Sequence, residues 1–208
     1  MTQSSFDDDI NDARAQRFVR CIERFVDRYR ERTGRHGQKV LADDNKRLDG
    51  RKIEQEPERF VEDALIAPVL ECLGHDVRFR PKGFDGLEGR IPDFTLLNVD
   101  AVNFGEVKTP GSIYNARDET VQYLDMATGR PLIGIATDGF SWVLYTAGED
   151  EEPVYTDHCT ISKVIRRVNK EQSSKGSQRD RVELRKEALD FVDGFSSGVI
   201  HASLDTRR

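Results

Sequence analysis

The chain has 208 residues, 37% of them hydrophobic and 34% charged, and a net charge of −6 at neutral pH. That length can bury one main core, and the balance reads as a heavily charged globular protein rather than a disordered one. No run approaches the about 20 apolar residues of a membrane span, and no apolar segment near Met1 resembles a signal peptide, so the expected location is cytoplasmic. Cys21, Cys72 and Cys159 are odd in number, far apart and without metal-ligand spacing, which predicts buried free thiols rather than disulfides or zinc. The negative total weighs against a polyanionic partner, but only weakly. Arginine outnumbers lysine and acids run along the whole chain, as in a salt-adapted organism or a GC-rich genome, and a local basic patch is compatible with either.

In chain order, residues 1–12 are polar and acidic and read as a frayed end. Residues 13–32 place Phe18, Ile22, Phe25, Val26 and Tyr29 at helical spacing and predict an amphipathic helix. "TGRHGQKVLADDNKRLDGRK" reads as a polar connection. A second helix is expected over residues 57–73, with Pro57 in its first turn, Gly74 as its stop and Pro68 bending it. "HDVRFRPK" is a half-buried strand with a basic outer side. Two more strands follow, roughly 91–98 and 101–108, then a helix over 115–127 and the strand, Asp-Gly turn and strand of "PLIGIATDGFSWVLYT". Trp142 alternates with Leu144 and reads as sheet core. Beyond these, "GEDEEP" is a loop, "HCTISKVIRRV" a short helix, "KEQSSKGSQRD" a flexible connection and 180–195 a last helix. The order implies an α/β fold with a mixed, partly antiparallel sheet.

The charges in "RIPDFTLLNVDAVNFGEVKTPG" stand out, because the apolar runs around them make them costly. Glu106 and Lys108 share a strand face. Centring the turn between Val99 and Asp100 sets Asp93 directly opposite Glu106, where Cβ atoms lie about 4.5–5.5 Å apart and two carboxylates converge. A three-residue loop would instead shift the register by one and separate them. Two oxygen ligands with room for water and substrate describe a Mg²⁺ site better than a Ca²⁺ or Zn²⁺ site. Lys108, one pleat along, could then position a water or meet a developing negative charge, an assembly suited to phosphodiester hydrolysis.

"PD" at 92–93 with "EVK" at 106–108, in helix, three-strand, helix, strand order, resembles the PD-(D/E)xK nuclease superfamily. More narrowly, "LIAPVLECLGH", "RIPDFTL", "GEVKTPG", "QYLDMA" and "IATDGFSWVLY" resemble the N-terminal nuclease domain of type I restriction enzyme R subunits and related restriction-modification enzymes. The resemblance covers about residues 56–147. It implies a restriction-endonuclease-like core over 56–158, with a tail, amphipathic helix and connection at 1–55 and a helical extension at 159–208. It further implies Asp93 and Glu106 as ligands of Mg²⁺, with Mn²⁺ its substitute, and Lys108 as the residue positioning the attacking water. The family often adds a carboxylate from the first helix. Glu58 and Glu62, i and i+4 on one face, both qualify, Glu58 being favoured by its distance from "LIAP". Gln122 matches a glutamine of these nucleases often followed by tyrosine four places on; here Tyr123 is adjacent and Met126 holds that place.

The expected activity is therefore a Mg²⁺-dependent DNA endonuclease restricting foreign DNA, with Arg78, Arg80, Lys82 and Arg90 as candidate phosphate contacts. The alternatives are a catalytically silent module binding DNA or a partner within a larger restriction-modification assembly, and a nuclease of branched DNA. No phosphate-binding Gly-x-x-x-x-Gly-Lys-Ser/Thr loop is present, so no motor is expected in the chain. The histidines show no paired spacing.

Overall fold

Phe18, Ile22, Phe25, Val26 and Tyr29 line the buried face of one long helix, α1 (Gln3–Thr33), in the computed structural model. The structure describes residues 3–42, 47–84, 86–128, 131–147, 154–173 and 177–205. From Gln3 on, the expected frayed end is instead part of α1, Met1 and Thr2 lying outside the described residues: Asn11 donates to Asp193 at 2.8 Å and Arg185 pairs with Asp12, tying the polar start to the last third of the chain. The expected polar connection also folds, into α2 (Arg35–Ala42), which buries Val40 and Leu41, and α3 (Gly50–Ile53), capped by Asp49. Two apolar residues suffice for α2 because α1 supplies the rest of the surface it packs against.

The helix carrying Pro68 begins with α4 (Pro57–Val61), widens into a π turn (Glu62–Ile66) and resumes as α5 (Ala67–Cys72). Proline has no N–H to give and its ring excludes the carbonyl four residues back, so the wider turn just before it relieves a clash the sequence makes unavoidable. The bend expected at Pro68 thus takes the form of this turn, and the helix stops before Gly74 as expected.

The sheet contains β1 (Val77–Phe79), β2 (Phe94–Leu96), β3 (Val102–Val107), β4 (Leu132–Thr137), β5 (Ser141–Ala147) and β6 (Val154–Thr160), in that spatial order. Among the described residues only β3 and β4 pair in parallel, joined by the crossover helix α6 (Ile113–Met126); the other neighbours are antiparallel. The expected mixed α/β sheet is therefore present. Alternation along the central strands divides the core. Ile133, Ile135, Trp142 and Leu144 face α1, α4–α5 and the C-terminal helices, while Leu132, Ala136, Val143 and Tyr145 face α6.

The C-terminal third departs most from expectation. His158 to Thr160 of the expected short helix belong to β6, and the helix α7 (Ser162–Glu171) begins only after them. β6 is an edge strand exposed over most of its length, so it lacks the apolar alternation that reveals a strand in sequence. The expected 180–195 helix is α8 (Gln178–Phe195), capped by a Ser177–Asp180 box, and a further helix, α9 (Ser197–Asp205), buries Ile200 and Leu204. The "GEDEEP" loop lies outside the described residues. Terminal helices share the main core: the Phe18 and Phe191 rings stack at 4.6 Å, and Trp142 meets Phe191 edge-on at 5.5 Å. All three cysteines are free, Cys21 buried and the other two partly so. Among the described residues no helix is long and apolar enough to cross a membrane.

Candidate active site

The hairpin of β2 and β3 adopts the register that brings the carboxylates together. Phe94 pairs with Gly105, the Asp93 N–H donates to the Gly105 carbonyl at 3.0 Å, and the Asp93 charge bears on Glu106. The ladder is shorter than the expected strands because Asn103 inserts its side chain, accepting from the Leu96 N–H at 2.6 Å and donating to the Leu96 carbonyl at 3.0 Å. Gly105 makes the close pairing possible: the Phe94 ring lies where a side chain at 105 would sit. The sequence signal for this contact is the glycine in the middle of an otherwise good strand.

Around this pair the charges interlock. Asp93 Oδ2 accepts from the Val107 N–H at 2.7 Å. Lys108 Nζ donates to Glu106 Oε1 and, at 2.7 Å, to Glu119 Oε2 of α6. Glu106 is only 4% exposed, and its other oxygen, Oε2, is buried with no hydrogen-bond partner. Burial, then a hydrogen bond that the protonated Glu106 carboxyl shares with Glu119, then the Asp93 charge, push Glu106 up to about 9, and burial raises Asp93 against the opposing pull of the Val107 N–H and Lys108. Burial alone would lower Lys108, but Glu106 and Glu119 outweigh it and hold the ammonium above its usual range. Both carboxylates thus favour the protonated form of Lys108. Tyr123 is pushed up to about 12 by burial and by Glu106, Glu119 and Asp93, and keeps its hydroxyl proton.

The π turn presents Glu62 to the same region. It is 4% exposed and held by Arg59 at 2.6 Å and by both terminal nitrogens of Arg80, at 2.9 and 2.6 Å. Its charge bears on Asp93. Glu58, one turn earlier, accepts from the Thr109 hydroxyl at 3.3 Å, beside Lys108 in the chain. The loop after Lys108 is fixed by buried Asp138, which accepts from the N–H groups of Gly111, Phe140 and Ser141 at 3.0, 3.0 and 2.7 Å. The turn after Asp138 needs Gly139, at φ 82, both for its backbone and because Val61 occupies the space beside it.

Asp93, Glu106 and Lys108 are thus brought together, with Glu58 and Glu62 flanking them. Gln122 is exposed and accepts from Arg90 at 3.0 Å. Arg78 and Lys82 are exposed, whereas Arg80 is committed to Glu62. Sequence reasoning missed Glu119, although it lies one helical turn before Gln122 and Tyr123 and so on their side of α6. It also missed the Glu62–Arg80 fork, which joins α4–α5 to the end of β1.

Two converging carboxylates, one with a buried oxygen lacking any donor, are a set of hard oxygen ligands that fits a divalent cation such as Mg²⁺. Among the described residues no group of three or more histidine, cysteine or acidic side chains is arranged to hold a metal ion. The protein share of such a site would be Asp93 and Glu106, the rest being left to water and a phosphate. No protein-family model, no curated protein and no solved structure matches the chain.

Proposed function

We propose that the chain is a metal-dependent nuclease of the PD-(D/E)xK kind, hydrolysing DNA phosphodiesters in the restriction of foreign DNA. The observation that carries this reading is the buried, unpartnered Oε2 of Glu106 in a site shared with Asp93 and flanked by the Lys108 ammonium. A binding surface gains nothing from burying a carboxyl group that folding holds protonated up to about pH 9, because burying a polar group short of partners costs about 1–3 kcal/mol. A cation removes that cost.

Asp93 and Glu106 would hold Mg²⁺, or Mn²⁺ in its place, which when bound supplies charge neutralisation at the phosphate and an acidified water. Lys108, kept protonated by Glu106 and Glu119, offers an N–H to the attacking water or to the negative charge developing on phosphorus-bound oxygen. Glu119 is the second carboxylate that holds the ammonium. The Glu62–Arg80 fork holds β1 against the π turn and so supports the strand that Asp93 flanks. Arg78, Lys82 and Arg90 are the candidate phosphate contacts; Arg80 acts through Glu62. Other restriction-modification domains or subunits would choose the target.

Cleavage of supercoiled plasmid by the purified protein tests the reading, with Mg²⁺ or chelator, across a range of salt, beside Asp93→Ala and Lys108→Ala. Mg²⁺-dependent nicking by wild type alone supports it. DNA binding by all three proteins with cleavage by none would favour a module that only binds.

A further inference from the structure

A second cluster lies on the outer side of the α1–α5 contact, apart from the carboxylate site. Cys21 of α1 is set against one turn of α5. Its thiol donates to the Pro68 carbonyl at 3.5 Å, and Cys72 lies four residues further along the same helix, one turn on from that carbonyl. The Arg24 guanidinium donates to Cys21 Sγ at 3.3 Å. Both cysteines line a groove of about 730 Å³ whose walls include Arg17, Arg20, Arg24 and Glu71, the route by which a small polar oxidant would approach a pair whose Cys21 is only 3% exposed.

We propose that Cys21 and Cys72 form a redox-active dithiol that a peroxide converts into a disulfide joining α1 to α5. The inference does not rest on the nuclease reading. The two cysteines lie on different helices already packed together, so the bond would cross-link elements rather than residues of one helix.

The two sulfurs play different parts. Cys21 donates to the Pro68 carbonyl only while protonated; the neighbouring Cys72 thiol and the Arg24 guanidinium favour its thiolate and lower Cys21 to about 6, against the opposing effect of burial, while Cys72 is raised by its proximity to Cys21 and by burial. Cys21 is therefore the thiolate and Cys72 the resolving thiol. In the first step the Cys21 thiolate attacks one oxygen of hydrogen peroxide. The O–O bond breaks, a sulfenic acid forms, and hydroxide leaves and takes up a proton to become water. In the second, the Cys72 sulfur attacks the Cys21 sulfur, the S–O bond breaks, and the departing hydroxide takes the Cys72 proton as a second water. Two thiols have then lost two electrons to one peroxide. Cys159, raised to about 11 by burial and by Asp157, stays protonated and unreactive.

The test is peptide mapping of reduced full-length protein after exposure to hydrogen peroxide with chelator present. The expected product is an intramolecular Cys21–Cys72 cross-link, reversed by dithiothreitol, with Cys159 still free. In Cys72→Ser a dimedone adduct should accumulate at Cys21, and Arg24→Gln, an exposed change that leaves packing intact, should slow wild-type oxidation by about tenfold. Oxidation of Cys159 as fast as Cys21, or over-oxidation of Cys21 without a cross-link in the wild-type protein, would overturn the proposal. The mapping needs no variant, so failure of Cys72→Ser to fold would not shield it.

Discussion

Glu106 concentrates the conflict between stability and chemistry in one side chain. Its carboxyl is raised from an ordinary value of 4.5 to about 9 by burial and neighbouring carboxylates. A group raised on folding contributes stability that is fully present below its unfolded value and is lost as pH rises through its folded value. Metal-free protein should therefore lose thermal stability between pH 4.5 and about 9, a loss that Glu106→Gln should flatten in melts recorded with chelator. Glu119 is shifted the other way, by its contacts with Glu106 and Lys108, and acts below that window. Added Mg²⁺ should raise the melting temperature of wild type and leave Glu106→Gln unmoved. Lys108→Ala should cost roughly 10²–10³ in cleavage rate with DNA affinity nearly unchanged, read by single-turnover cleavage beside a binding titration. These residues were legible because the site lies within one hairpin: turn geometry alone fixes which side chains face each other. Glu119 and Arg80 were not, because their partners depend on where α6 and the π turn come to rest against the sheet.

At the scale of elements, the hairpin register depends on Gly105. A methyl there displaces the Phe94 ring, and β2 would move away from β3 with Asp93 at its leading end. Gly105→Ala should lower stability by about 1–3 kcal/mol in denaturant unfolding and weaken cleavage as well. Gly139→Ala combines a left-handed backbone with a collision against Val61, so it should destabilise at least as much. Elements with strong apolar periodicity, such as α1 and β5, could be read directly. Those with one or two apolar residues could not: α2 is completed by the surface of α1, and β6 by backbone pairing to β5. Pro68 announced a distortion, but not that an extra residue in the turn before it would absorb it.

For the whole molecule, amphipathic ends could be read as helices but not assigned a place, since an apolar face says that it is covered and not by what. The structure packs Phe18, Phe25, Phe191 and Phe195 into the same core as Trp142. A fragment limited to residues 56–158 would expose that face of the sheet, and calorimetry should find no cooperative unfolding transition in it. A metal-dependent nuclease site at the β2–β3 hairpin is tested most directly by Mg²⁺-dependent cleavage of plasmid DNA by wild type measured beside Glu106→Gln, a neutral change of nearly the same shape. It predicts nicked or linear product from wild type alone, abolished by chelator. Equal cleavage by Glu106→Gln, or a wild-type protein that binds DNA and leaves it intact at every salt and Mg²⁺ concentration, would contradict it.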